Sequence, residues 1–134
     1  MAHHRTGAVV LVVDDDPKVS AIIARLLERV GYEVIAATDG TGAIEVASHR
    51  SVGVVLLDWR LPDGPSGSEL IEALRARSGP KTPVLVVSGD WAAFPEADRA
   101  LASDYLPKPF DPDDLVHMVD TYFAPPTAPL RKVG

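Results

Sequence analysis

Three short segments, residues 8–13, 52–57 and 84–87, are almost purely apolar and rich in β-branched side chains. Runs this short and this continuous mark strands buried on both faces. Such strands belong to a parallel sheet with helices packed on either side. None approaches the roughly 20 apolar residues that a membrane-spanning helix needs.

The intervening segments read as helices. Val19, Ile22, Ile23, Leu26, Leu27 and Val30 fall on one helical face. Pro17 suits the first turn of that helix behind an aspartate cap, and Gly31 suits its stop. Residues 32–37 form a second strand. Asp39 caps a helix carrying Ala43, Ile44, Val46 and Ala47. Residues 68–77 place Leu70, Ile71 and Leu74 on one face, and residues 93–102 form a weaker helix with Pro95 near its start. Asp111 and Pro112 open a last helix with Leu115, Met118, Val119 and Tyr122 inward. A short fifth strand near residue 103 carries Pro107, which confines it to a sheet edge or places the proline at the strand end. The more polar second strand suits the other edge. Strand and helix thus alternate five times, which defines an α/β fold: a doubly wound, five-stranded parallel sheet in the order 2-1-3-4-5 with five helices. The domain spans residues 8–123. Residues 1–7 are expected to be a flexible N-terminus, and residues 124–134, with three prolines, a proline-rich tail or linker.

In such a sheet, ligands bind outside the carboxyl ends of the strands, where the strand order reverses. Asp14, Asp15 and Asp16 follow the first strand, Asp58 the third, Ser88 the fourth and Lys108 the fifth. Strands 1 and 3 are neighbours, so their acids converge. Two carboxylates about 4 Å apart repel by roughly 4 kcal/mol at an effective dielectric near 20, so such a cluster calls for a cation. The chain has no cysteine, and an oxygen-rich site suits a hard ion. Mg²⁺ takes one or two carboxylates plus phosphate oxygens and keeps several waters. A nearby lysine and hydroxyl suit phosphoryl oxygens, and a carboxylate can act as the nucleophile that forms an acyl phosphate. The four histidines are scattered without metal-ligand spacing. The net charge of −6 argues against non-specific nucleic-acid binding.

Four motifs, Val10-Leu-Val-Val-Asp-Asp-Asp-Pro17, Val55-Leu-Leu-Asp-Trp-Arg-Leu-Pro62, Val84-Leu-Val-Val-Ser-Gly-Asp90 and Asp104-Tyr-Leu-Pro-Lys-Pro-Phe110, occur in this order. Together they resemble the receiver domain of two-component response regulators, of the chemotaxis-regulator type with its flavodoxin-like fold. The resemblance implies that Asp58 is the phosphoacceptor. Asp14 and Asp15 would be the acidic pair for Mg²⁺, with Mn²⁺ as a substitute. Asp15 would ligate directly and Asp14 partly through water, while the backbone carbonyl of Arg60 completes the protein ligands. Ser88 and Lys108 would hold phosphoryl oxygens, Tyr105 would turn inward as Ser88 is drawn to the phosphate, and Arg60 and Asp90 would tune the acyl-phosphate lifetime. The Lys108–Pro109 peptide is commonly cis in that family. The implied partners are a sensor histidine kinase or a histidine phosphotransfer domain, and a downstream protein read through the fourth helix, fifth strand and fifth helix. Neither membrane nor direct nucleic-acid contact is implied. The expected setting is the cytoplasm, with the protein a monomer or a phosphorylation-dependent dimer. Its chemistry would be limited to its own phosphorylation and slow dephosphorylation. No helix-turn-helix output unit follows, so transcription control by this chain alone is not expected.

The usual spacing from acceptor to the glycine opening the third helix is longer here by one residue, with Gly64 and Gly67 both available. Two other readings carry tests. Asp14-x-Asp16 resembles the nucleophile motif of haloacid-dehalogenase-type phosphatases, which would make Asp16 an acid/base, although Asp16 before Pro17 also suits a helix cap. A receiver that only docks, without phosphorylation, is the third.

Overall fold

The computed structural model describes residues 8–60, 67–89 and 95–123. Strands β1 (Val9–Val13), β2 (Val34–Ala37), β3 (Val52–Leu57), β4 (Val84–Ser88) and β5 (Asp104–Pro107) alternate with helices. The helices are α1 (Pro17–Arg29), α2 (Gly40–His49), α3 (Gly67–Ser78), a 3-10 helix (Glu96–Leu101) and α4 (Pro112–Phe123). The 3-10 helix is therefore the fourth helix and α4 the fifth. All strand pairs are parallel, and the order is β2-β1-β3-β4-β5. This is the doubly wound sheet expected from the apolar runs. The segments expected to be a flexible N-terminus and a proline-rich tail lie outside the described residues.

Every residue of β1 is buried because both its faces are covered. Val9, Leu11 and Val13 join Ala43 and Ala47 of α2 and Leu70, Ile71 and Leu74 of α3. Val10 and Val12 face the other way, with Ile23 and Leu27 of α1 and Leu115 and Val119 of α4. Burying a side chain of this kind contributes roughly 1.5–3 kcal/mol, so the two layers hold the sheet from both sides.

Local chemistry sets the helix ends. Asp16 accepts from the Lys18 N–H and Asp39 from the Gly42 N–H. Asp111 does the same for the Asp113 N–H, so each carboxylate satisfies an otherwise orphaned donor. Gly31 ends α1 with φ 101°, a conformation that disfavours any side chain bearing a Cβ.

Four expectations need correction. The second strand starts at Val34, because the buried Tyr32 instead donates its hydroxyl to Asp120 and packs in a tilted arrangement on Phe123, 4.9 Å between ring centroids. On α1 the buried stripe is Ser20, Ile23 and Leu27, while Ile22 is 54% exposed. Adjacent helical positions point about 100° apart, so Ile22 and Ile23 cannot both face the sheet. The weaker helix narrows to a 3-10 turn, with no buried residue and no side-chain cap on Pro95. Tyr122 is only half-buried, with its hydroxyl bonded to the Ser103 carbonyl and to Asp104. Phe123 is the buried ring, and it packs so closely on Gly53 that a Cβ there would lie 2.4 Å from it.

Candidate functional site

The strand ladder continues past the ends of β1 and β3 and so places the acids. Asp14 N–H donates to the Ala37 carbonyl and Asp58 N–H to the Val13 carbonyl. The register pairs Val13 with Leu57, so Asp14 and Asp58 emerge side by side. One carboxylate oxygen from each of Asp14, Asp15 and Asp58 lies within 4.8 Å of the others. Asp14 is 3% exposed, Asp58 is half-buried and Asp15 is exposed.

Lys108 arrives from the far edge. Ser88 pairs with Pro107, and the Lys108 N–H donates to the Ser88 carbonyl at 3.0 Å. The ammonium Nζ then reaches Asp14 Oδ2 at 2.8 Å and Asp58 Oδ2 at 3.4 Å. Burial alone would lower the pKa of this amine. The hydrogen bond to Asp14 and the charges of Asp58 and Asp14 outweigh that, holding the ammonium above the ordinary lysine range. The peptide between Lys108 and Pro109 is cis.

The remaining oxygens are directed as well. Asp14 Oδ1 accepts from the Asp16 N–H at 2.9 Å, and Asp58 Oδ1 from the Arg60 N–H at 3.0 Å. Asp15 makes no side-chain hydrogen bond or ion pair among the described residues. The donor set is all oxygen and strongly anionic, which fits a hard divalent cation better than a soft one.

Ser88 is 1% exposed at the end of β4. Its carbonyl accepts from both the Lys108 N–H and the Tyr105 hydroxyl, the latter at 2.9 Å. Tyr105, Ser88 and Lys108 are thus tied to one backbone atom, a link that residue spacing does not reveal. Trp59, next to Asp58, was not given a role from sequence. Its ring lies directly over Gly67, where a Cβ would be 2.3 Å away. Gly67 opens α3, while Gly64 and Asp90 lie outside the described residues. In the phosphatase reading Asp14 would be the nucleophile and Asp16 the acid/base. Asp16 caps α1, and Asp14 is held between Lys108 and the Asp16 amide.

Over residues 10–120 the chain matches the family described as the response regulator receiver domain. It belongs to that family. The receiver is 38% identical over 112 residues to the transcriptional regulatory protein CpxR of Escherichia coli, covering 80% of this chain and 45% of CpxR. It is 37% identical over 110 residues to the transcriptional regulatory protein KdpE of Mycobacterium tuberculosis, covering 81% of this chain and 47% of KdpE. The chain therefore spans less than half the length of either relative. Among solved structures, it is similar to the chemotaxis response regulator CheY4 of Vibrio cholerae, with TM-score 0.76 and 31% identity over 87% of this chain and 99% of that one. As a receiver it is a signalling domain of two-component systems, a class that works with histidine kinases and downstream effectors. No helix among the described residues is long and apolar enough to cross a membrane.

Proposed function

We propose that Asp58 is the phosphoacceptor, and that a histidine kinase or phosphotransfer domain donates the phosphoryl group from phosphohistidine. An Asp58 carboxylate oxygen attacks phosphorus, the N–P bond breaks, and the imidazole leaves with the bonding electron pair, forming an acyl phosphate. The observation that carries this reading is the Lys108 ammonium, which reaches both Asp14 and Asp58 from the opposite edge of the sheet. It is positioned to neutralise charge on a phosphoryl oxygen. The Ser88 hydroxyl, at the end of the neighbouring strand, takes another.

Asp15, Asp58, Asp14 partly through water, and the Arg60 carbonyl are the residues that would hold Mg²⁺ or Mn²⁺. When bound, the ion would offset charge on the phosphoryl group and the carboxylates. The free Asp15 carboxylate supports its part as a direct ligand, and the two bonds already on Asp14 support its partial one. Arg60 and Asp90 are assigned to the acyl-phosphate lifetime.

The shared Ser88 carbonyl supports Tyr105 as the switch. A shift of Ser88 toward a phosphoryl group moves the acceptor of the Tyr105 hydroxyl bond. That shift would change the population of arrangements at the 3-10 helix, β5 and α4, where a downstream protein binds. An apolar groove of about 450 Å³ beside Lys108, lined by Val19, Ile22, Pro109, Phe110 and Pro112, supports docking of the phosphodonor at that corner. The domain catalyses only its own phosphorylation and slow dephosphorylation, and it meets its kinase in the cytoplasm. Residues 8–123 form the receiver, followed by a tail or linker.

Acetyl phosphate with Mg²⁺ tests this reading. A phosphoryl adduct is expected on the native chain, absent with chelator and absent in Asp58→Asn. An adduct that persists in Asp58→Asn, or steady phosphatase turnover that depends on Asp14, would overturn it.

A further inference from the structure

The edge of the molecule formed by the 3-10 helix, β5 and α4 is acidic to a degree the proposed chemistry does not use. Residues 95–123 hold seven Asp and Glu against Arg99 and Lys108. Lys108 is already bonded to Asp14 and Asp58, Asp120 accepts from Tyr32 and Asp111 caps α4. Asp104 and Asp114 are the acids that line the groove between β5 and α4. Between β5 and α4 lies an open groove of about 330 Å³, lined in part by Asp104, Tyr105, Asp114, His117, Met118 and Tyr122. Its lining combines two carboxylates with two tyrosines and a methionine. The Asp114 carboxylate is exposed and meets no cation among the described residues. Tyr105 and Tyr122 are half-buried and both line the groove.

The segment that follows α4 has the complementary chemistry. Residues 124–134 contain Pro125, Pro126, Pro129, Leu130, Arg131 and Lys132, and no acid. Proline-rich segments dock on aromatic-lined grooves because their extended form is already ordered. The groove runs along α4 from Asp114 to Tyr122, and α4 ends at Phe123, so the segment starts where the groove ends. At a rise of 1.5 Å per helical residue, Asp114 is about 14 Å back along α4. Eight extended residues after Phe123 reach about 25 Å at 3.1 Å each, enough to reverse direction and bring Arg131 to Asp114. Attachment in the same chain gives an effective concentration in the millimolar range, so a few weak ion pairs and proline–tyrosine contacts are sufficient.

We propose that residues 125–132 of this chain occupy the acidic β5–α4 groove, with Arg131 and Lys132 against Asp114 and Asp104 and the prolines on Tyr105 and Tyr122. The occupied groove lies on the face assigned to the downstream protein. The tail therefore competes with that partner, a consequence that rests on the function proposed above. The docking itself does not.

The experiment compares the amide NMR spectra of the full native chain and the double variant Arg131→Glu/Lys132→Glu, at low salt and at about 0.5 M salt, where the Debye length falls to a few ångströms. Neither substituted residue belongs to the acceptor site. The expected result is that amides of residues 104–105 and 114–122 shift in the variant and that high salt moves the native spectrum the same way. The synthetic peptide 124–134, added in excess to the variant, should return those amides toward native positions. Changes confined to residues 129–134 would overturn the proposal. Shifts that depend on protein concentration would also overturn it, since they place the tail on a second copy. Acetyl phosphate labelling is run on both proteins in parallel. Equal labelling with unmoved groove amides rejects the docking alone, whereas absent labelling with groove shifts rejects the phosphoacceptor reading and leaves the docking standing.

Discussion

Ile22 shows how one side chain can be misplaced by pattern and then explained by its neighbours. It lies within an apolar helical stripe, yet it is the exposed large hydrophobic residue of the described chain. It lines the groove with Pro109 and Phe110, the corner where docking of the phosphodonor is proposed, rather than the core. Ile22→Asp should leave thermal stability within about 0.5 kcal/mol, as for most surface changes. It should slow phosphoryl transfer from a cognate phosphohistidine protein by about tenfold, the size of a 1.4 kcal/mol interface loss, without altering labelling by acetyl phosphate. Equal slowing with both donors would place Ile22 in the chemistry instead. Two other side chains predict a pH response. The Lys108 amine and the Tyr122 phenol are both held above their ordinary values of 10.5 and 10.0. Asp14 and Asp58 act on the first, against the opposing effect of burial, and the hydrogen bond to Asp104 on the second. A raised folded-state pKa stabilises fully below the ordinary value and loses that contribution as pH rises through the raised one. These groups should therefore contribute their full stabilisation, independent of pH, near neutrality, and the unfolding free energy in chelator should fall above about pH 10. The fall should be shallower in Lys108→Met/Tyr122→Phe. An unchanged slope in that double variant would contradict the assignment.

Among the described elements, the 3-10 helix is weakly secured by its own residues. It has no buried residue and no side-chain cap. What ties it down comes from α3. The Arg75 guanidinium donates to the Thr82 carbonyl at 3.0 Å, to the Leu101 carbonyl at 2.7 Å and to Ser103 Oγ at 3.4 Å. Burial lowers its pKa, yet it stays charged because an arginine starts so high. One planar side chain thus joins the approach to β4, the end of the 3-10 helix and the start of β5. Arg75→Met should cost about 1–3 kcal/mol through the acceptors it leaves unpaired. Hydrogen exchange at residues 96–103 should accelerate more than exchange in β1 or β3. Lysine in its place should rescue little, since a point charge cannot span three acceptors. Uniform acceleration across the sheet would mean that Arg75 supports the whole fold rather than this element.

For the whole molecule, the acidic mouth is where like charge is closely gathered among the described residues. Three carboxylates within 4.8 Å and one ammonium leave unbalanced negative charge at the end of the central strands. A divalent ion that binds only the folded state should raise the unfolding free energy by about 2.7 kcal/mol at a hundredfold excess over its dissociation constant. Denaturation of the native receiver should follow Mg²⁺ concentration in this way. Asp15→Asn should lose most of the increment while being no less stable in chelator, because it removes one repelling charge. Equal Mg²⁺ stabilisation of both proteins would exclude Asp15 as a ligand.

Much of this receiver was legible in the order of its residues. The continuous apolar runs required strands covered on both faces. The polar edges selected the strand order, Asp16 and Asp39 marked helix starts, and the residues after strands 1, 3 and 5 named the acids and the lysine of the mouth. These properties are local, or depend only on strand ends meeting at one side of a parallel sheet. Other properties came from contacts between distant segments. The Tyr32 bond to Asp120, the Arg75 clamp and the Ser88 carbonyl shared by Tyr105 and Lys108 join residues whose spacing carries no periodic signal. The division between Ile22 and Ile23 likewise depended on how α1 is rotated against the sheet. Periodicity describes a face, but only packing decides which part of it meets a neighbour and which is left in water.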